Sequence, residues 1–561
     1  MTTGAEVIAG RIAKAGVTVL FGVMGDGNLG IIDGFMSLGG HHVAARHELG
    51  AVAMADGYAR ATNRVGVATC TIGPGFTNGL TAMINARKAR SPVVIVSGDV
   101  PTDPDLVRSF LRVQEVDQTA LAGWAGIESI RAKIESLAED VAEALRRSLD
   151  TSAPVALFVP KDVLLADVET GDLVDRPRPA PVAKGPEETR LRKAVGIINS
   201  SSKPVILAGR GAALAGAGRD LVTLSERIPA LLGTTLRAKD MFRGVPGNLD
   251  IVGGYSSTPT RHLLAQTDCL IAVGASLNDH TTMEDRLIPS GASIIQCDSD
   301  ESAMRSGDNH VHMPADARAA AIALLAAIPP RDNGAASGWV SAGRDELGAH
   351  DRHSEYPSSH TERGLDPRWL AMALDEILPQ RILVLDSGHF SGFGNVYMHV
   401  GSPFDHLFAH DFGAVGLGLG TAIGAALARP AEMVALVVGD GGLMMSLQDL
   451  DTARRERLNL AVFVMNDGGY GAEAHRLRLK GHDPGPALFA NPQFTTLANA
   501  MGIRSMLLQA PDDIQELPGF LEQDNMPVLI ECLVDPLVRS RTMEDLYRAE
   551  RSQNGRSKGT A

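Results

Sequence analysis

Residues 434–442 read Val-Ala-Leu-Val-Val-Gly-Asp-Gly-Gly, and residues 461–471 read Ala-Val-Phe-Val-Met-Asn-Asp-Gly-Gly-Tyr-Gly. Each segment opens as a short apolar run rich in valine and breaks into a glycine-bearing loop, the pattern of a strand ending at a turn. In an open α/β sheet, ligands bind in the crevice at the carboxyl ends of the strands, where both loops would lie. Gly439, Gly441 and Gly442 around Asp440 let backbone amides come close to a bulky anion. Asn466 follows Asp440 by 26 positions. One carboxylate, one amide oxygen and a backbone carbonyl, that of Gly468, suit a hard Mg2+ ion that shares phosphate oxygens. Singly, each half is common turn chemistry. The uncommon feature is the pair, at this spacing, with each half after a strand.

Outward from this pair, apolar runs alternate with helix-like segments along the whole chain, which predicts parallel α/β domains. At 561 residues the chain exceeds a single core. Three doubly wound units are expected: residues 1–170, 191–330 and 366–537. A Pro-rich linker at 171–190 and a polar one at 331–365 separate them, and 538–561 reads as a polar tail. Apolar residues make up 44% and charged residues 21%, ordinary globular composition, and the net charge of −14 argues against a nucleic-acid partner. Cys70, Cys269, Cys297 and Cys532 are scattered without metal-ligand spacing and read as reduced thiols. No secretory signal and no stretch long enough for a bilayer is visible, so a cytoplasmic protein with no membrane partner is expected.

The GDG at 439–441, followed by the Asn466 turn, resembles the signature of thiamine-diphosphate enzymes, and nearly the whole chain is similar to their acetolactate synthase and pyruvate decarboxylase branch. The resemblance implies a pyrimidine-binding domain, a middle domain and a diphosphate-binding domain, in that order, with Asp440, Asn466 and the Gly468 carbonyl on Mg2+ and Gly469 and Tyr470 continuing the cofactor loop. The family's usual Asn-Asn is Met465-Asn466 here; its second Asn carries the metal oxygen, so that oxygen is kept. Earlier, Arg46–Thr62 (RHELGAVAMADGYARAT) places Glu48 where a strand enters a helix. A Glu in a first helical turn commonly serves the helix dipole. Ala51, Val52 and Ala55 around it point instead to a buried start, where a carboxylate needs a specific partner. The segment resembles the family's glutamate motif, which implies that Glu48 shares a proton with the cofactor's aminopyrimidine and so starts removal of the thiazolium proton. By the same resemblance Val415 wedges between the cofactor rings and the Gly413 carbonyl accepts from the amine. Gly75 and Asn78 (in TIGPGFTNGL) line the pyrimidine side, and Ser387, Gly388 and His389 (in LDSGHFSG) add diphosphate contacts. Glu48 and Asp440 then face each other across a subunit interface, with a homodimer as the minimum and a tetramer as the expected assembly.

Within the branch the motifs divide. Asp26 in FGVMGDGN and Glu473 match positions of decarboxylase acids, although a strand-end turn and a solvated helix residue describe them equally well. No histidine lies between Ser97 and Ala120, where pyruvate decarboxylases carry a His pair, and VQEVD at 113–117 resembles the synthase-type motif with Gln114 pointing to carboligation. The synthases' tryptophan-bearing segment is missing, since the only tryptophans are Trp124, Trp339 and Trp369. GRG at 209–211 resembles a flavin-site remnant, but Leu277–His280 replaces the arginine-bearing loop, which argues against FAD. The expectation is a non-oxidative carboligase acting on a small 2-oxo acid. The alternatives are a 2-oxo acid decarboxylase and a lyase on a 1,2-dione or 2-hydroxyacyl substrate. A flavin or NAD oxidoreductase, betrayed by a yellow protein, and a catalytically silent homologue are rivals from other classes; the absence of GxGxxG after a strand and the retention of Glu48, Asp440 and Asn466 count against them.

Overall fold

A computed structural model describes residues 2–103, 113–168, 183–329 apart from 306 and 308, 337–351, 360–522, and 527–548 apart from 546. Its frame is three six-stranded sheets, each all-parallel. Parallel sheets carry helices on both faces, so their inner strands read as unbroken apolar runs. Val93–Asp99, Cys269–Val273 and Val434–Gly439 do so, and every residue in them is buried.

The first sheet runs His41–Ala44, Val19–Gly22, Gly66–Cys70, Val93–Asp99, Val155–Pro160, Glu128–Arg131. The third runs His406–Phe408, Ile382–Leu385, Val434–Gly439, Leu460–Asn466, Val528–Leu533, Arg504–Leu508. Ordered by chain position these are the same topology. In both, the first strand's successor pairs on one side and the next strand on the other, so each sheet has a switch point beside its first strand. That point opens a crevice at the strands' carboxyl ends. The middle sheet, with Pro204–Ala208 inside, has the nucleotide-fold order, with strands added outward on both sides of the first.

Two expectations about the polar segments are corrected. Residues Ser337–Gly348, inside the predicted 331–365 linker, form a helix, and its Trp339 and Val340 pack into the middle core. Trp339 Nε1 donates to the Pro204 carbonyl at 3.2 Å. Two large apolar residues suffice to dock a helix whose composition is otherwise polar. Likewise, the first part of the predicted 538–561 tail is packed: Met543, Tyr547 and Ser540 are buried. The predicted linker at 171–190 falls partly outside the described residues; its 183–187 portion runs extended into the helix Glu188–Ser200.

The first and third units join through helices Glu48–Thr62 and Gly418–Ala428, which touch backbone to backbone. A Cβ on Gly424 would stand 1.9 Å from the Met54 carbonyl oxygen, and one on Gly57 2.1 Å from that of Thr421. Only glycine permits this approach. Gly424→Val is therefore expected to cost about 1–3 kcal/mol by overpacking, seen as a lower thermal midpoint. Gly196→Ala, on a helix face with nothing within 4 Å of its added carbon, is expected to be neutral or slightly stabilising.

Candidate active site

The crevice of the third sheet lies between the loops after Ile382–Leu385 and Val434–Gly439. Asp386 ends the first strand fully buried and organises the whole crevice. Its carboxylate accepts from the amides of Ser387 (2.8 Å), Gly416 (3.0 Å) and Gly418 (3.2 Å), tying the Gly413–Gly418 turn to the strand end. Burial lifts its pKa to about 6, against the pull of those amides. Gly442 leaves room for it, since a Cβ there would lie 2.6 Å from Asp386 Oδ2 and 3.4 Å from Val415. Val415 and Gly442 thus meet, as the sequence reading placed them on one site. Gly413 sits at the exposed tip of its turn with φ +74. Tyr470 closes over Gly441, whose added Cβ would come within 2.6 Å of the ring, and Phe390 covers Gly439 at 2.8 Å.

Asp440 begins a helix at the crevice and is 1% exposed. Asn491 Nδ2 donates to Asp440 Oδ2 and also lies 3.4 Å from Asn466 Oδ1, so both oxygens converge on one point. Glu531, itself buried, accepts from Asn466 Nδ2 at 2.9 Å and thereby turns the amide oxygen toward that point. The Gly468 carbonyl accepts from Phe489 N at 2.8 Å, leaving it a second lone pair. Burial raises the Asp440 pKa to about 6. The neighbouring Asp467 is pushed to about 8, first by burial and then by the Asp440 charge. Among the described residues no cluster of three or more His, Cys, Asp or Glu is placed to hold a metal. A cation here has to take amide and carbonyl oxygens together with phosphate, which is the donor set a hard divalent ion prefers.

Ser387 is buried, and its Oγ shares a 2.6 Å hydrogen bond with His410 Nδ1. Gly388 turns the loop, its carbonyl accepting from Ser391 Oγ at 2.7 Å. His389 uses Nε2 to accept from the Ser540 amide at 2.9 Å, so that nitrogen holds the C-terminal segment. The loop residues Gly469 and Tyr470 cross to the 484–489 segment through the Tyr470 amide, which donates to Ala487 O at 2.8 Å.

In the first unit, Glu48 starts its helix 8% exposed. His47 caps that helix by accepting the Leu49 amide at 3.1 Å, leaving the Glu48 carboxylate to accept from Asn78 Nδ2 at 3.0 Å. Gly75 adjoins the other oxygen, with an added Cβ 3.5 Å from Glu48 Oε1. Glu48, Gly75 and Asn78 therefore form one cluster. Among the described residues no hydrogen bond or ion pair joins it to Asp440 within the chain. The links between the two units are structural, among them buried Asp449, which accepts the Arg46 amide at 2.9 Å.

The three remaining candidates are less enclosed. Asp26 is exposed and ion-paired with Lys161 at 2.7 Å. Glu473 is exposed on the helix Gly471–Leu479, 4.0 Å from Arg476 Nη1. Gln114 is half-buried, and its carbonyl oxygen lies 2.1 Å from where a Gly73 Cβ would be. The glutamine that grips the loop is Gln118, which accepts from Gly73 N at 2.9 Å and donates to Gly98 O at 2.9 Å. Asp386, Asn491, Glu531 and Gln118 escaped the sequence reading. Only Asp386 carried a local signal, as an acid directly after a strand.

The chain matches the thiamine pyrophosphate enzyme N-terminal TPP-binding domain over residues 2–121, the central domain over 191–324 and the C-terminal TPP-binding domain over 386–532. It is 28% identical to a probable acetolactate synthase large subunit of Methanocaldococcus jannaschii, over 95% of this chain and 92% of that protein. It is 30% identical to a probable 2-ketoarginine decarboxylase of Pseudomonas aeruginosa, over 92% and 90%. A sulfoacetaldehyde acetyltransferase of Alcaligenes xylosoxydans is 27% identical, over 91% and 89%. In fold, the chain superposes on a thiamine-diphosphate-dependent 4-hydroxybenzoylformate decarboxylase of Rhodococcus jostii with TM-score 0.81 and 21% identity, over 95% and 99%. With both halves of the site and these relatives in view, the chain belongs to the thiamine-diphosphate-dependent enzymes, in the branch of the acetolactate synthases and related decarboxylases, and is an enzyme of the lyase or transferase type.

Proposed function

We propose that the chain is a Mg2+-dependent, non-oxidative carboligase on a small 2-oxo acid, with its active site completed by a second copy. The observation that carries this reading is the paired geometry: Glu48 held by Asn78 in one unit, Asp440 and Asn466 converging on one point in another. Thiamine diphosphate, when bound, supplies the carbon nucleophile and electron sink for breaking and making a bond beside a carbonyl. The residues do the rest. Asp440, Asn466 and Gly468 would offer oxygens to Mg2+, and the glycines at 439, 441 and 442, over which Phe390, Tyr470 and Asp386 pack, would present loop backbone to the diphosphate. With the cofactor bound, Val415 would pack against it and Glu48 would hold a proton at the aminopyrimidine nitrogen.

Support for a second copy comes from the surface around the Asp440 cluster. Met444, Met445, Tyr470, Leu488 and Phe489 are 37–45% exposed there, an apolar collar with no cover among the described residues. Support for ligation over simple decarboxylation comes from Asp26, whose carboxylate is engaged by Lys161. An oxygen already bound to an ammonium is a poor proton donor to a carbanion. A flavin is left out because the 209–211 turn is filled by protein. Gly211 N donates to Gly274 O at 2.9 Å, and the Ala275 Cα lies 2.5 Å from a Gly209 Cβ position.

Purified protein, supplied with thiamine diphosphate and Mg2+, is expected to release carbon dioxide from pyruvate or a larger 2-oxo acid and to yield acetolactate or an acyloin. Release with free aldehyde alone would make it a decarboxylase. Glu48→Gln is expected to keep cofactor affinity while losing about 10²–10⁴-fold in turnover, the usual worth of a general acid–base group. Equal turnover in the variant would remove Glu48 from the chemistry.

A further inference from the structure

The strand Val528–Leu533 reads Val-Leu-Ile-Glu-Cys-Leu, with an acid in the middle of an apolar run. All of its residues but the last are buried, and Glu531 is 3% exposed. The strand pairs in parallel with Leu460–Asn466, which sets Glu531 beside Val464 and Leu533 beside Asn466. Alternate residues share a face, so Glu531 stands with Leu529, Val462 and Val464, all members of one apolar core. A carboxylate there loses its hydration and needs protein donors in place of water. Among the described residues it has two: Asn466 Nδ2 donates to Oε1 at 2.9 Å, and the Thr495 amide donates to Oε2 at 3.1 Å.

The two bonds have different uses. Thr495 lies in the first turn of the helix Phe494–Ala500, where an orphan amide needs some acceptor and a neutral one would serve. The bond to Asn466 bears on the metal site. A primary amide has an acceptor end and a donor end, and Asn466 suits a cation only with its oxygen turned to Asp440. That oxygen also accepts from the Gly468 amide at 3.2 Å, and Glu531 takes the opposite end. A hydrogen bond to an ionised acceptor is about twice as strong as one to a neutral group. In a buried site it also polarises the amide, drawing electron density toward the oxygen that faces the metal point. Glutamine at 531 could not hold both donors, since it has one oxygen. If that oxygen kept Thr495, its NH2 would confront the Asn466 NH2 and turn the amide end for end.

We propose that Glu531 is a positioning residue for the divalent cation: its charge, acting through the Asn466 amide, sets how tightly the Asp440–Asn466 site holds Mg2+. The inference rests on the Mg2+ reading of that site and is independent of the choice between ligation and decarboxylation.

The test titrates the full-length protein with Mg2+ at saturating thiamine diphosphate, following binding by calorimetry and turnover on a 2-oxo acid over the same range. Glu531→Gln is expected to weaken Mg2+ binding by about 10–100-fold, the usual effect of removing the outer partner of a metal ligand. Its turnover should approach the parent's once Mg2+ is saturating. A helix-start role alone predicts unchanged Mg2+ affinity with a lower thermal midpoint, and that result overturns the proposal. So does a loss of turnover that no Mg2+ concentration restores. Asn466→Asp combined with Glu531→Gln reverses donor and acceptor between the same two positions, leaving one aspartate oxygen for the cation. This pair should bind Mg2+ within about tenfold of the parent. It carries the test if the single variant does not fold, and binding weaker than that bound then rejects the proposal. A parent that takes up no Mg2+ with the cofactor defeats the metal reading and this inference together. A parent that binds, with Glu531→Gln binding equally, defeats this inference alone.

Discussion

Two carboxyl groups, the buried Asp440 and the half-buried Asp467, share one loop system at the head of the third sheet. Burial favours the protonated form of both acids, and the Asp440 charge adds to this at Asp467. Much of the surrounding structure serves this constraint. Glu531 orients the Asn466 amide, Asn491 bridges the two oxygens, and the glycines at 439, 441 and 442 admit Phe390, Tyr470 and Asp386 against the loop. Asp386 fastens the Gly413–Gly418 turn beside them, so the Val415 position is set by one buried acid.

The first unit repeats the topology of the third, with the buried Glu48 carboxylate in place of the glycine-bearing loops. Glu48 is presented by a helix start and steadied by Asn78. The two units are locked through the glycine-lined helix pair and through Asp449, whose acceptance of the Arg46 amide places a residue of the metal-site unit two positions from Glu48. That lock holds the two clusters at fixed positions within one chain without joining them. A chain built this way can contribute an acid to one site and a metal grip to another, which is how isologous dimers make two identical centres.

Much of the frame was legible in the amino-acid order. Central strands such as Val434–Gly439 and Cys269–Val273 are buried on both faces and announce themselves as apolar runs. Edge strands did not: Glu128–Arg131 and Arg504–Leu508 have half-exposed residues in their pattern and no periodic signature to separate them from loops. Glu48, Asp440 and Asn466 stood out as candidates because their neighbours in the chain are unusual. Asn491, Glu531 and Gln118 were not, because each is an ordinary residue in its own stretch and acquires meaning only when folding brings it to a loop 25 to 65 positions away. The helix Ser337–Gly348 was hidden for a related reason, as two apolar anchors in a polar run carry little weight until a surface exists for them to meet.

The account stands on Glu48 and Asp440 of different copies serving one cofactor. Subunits carrying Glu48→Gln and subunits carrying Asp440→Ala, each inactive alone, can be unfolded or co-expressed together so that hybrids form, with hybrid formation followed by native mass spectrometry. A site shared between chains restores one intact centre per hybrid dimer, and random mixing should recover about one quarter of the unmutated activity. If hybrids form and the mixture stays as inactive as its parents, the two residues work within a single chain and the account is wrong.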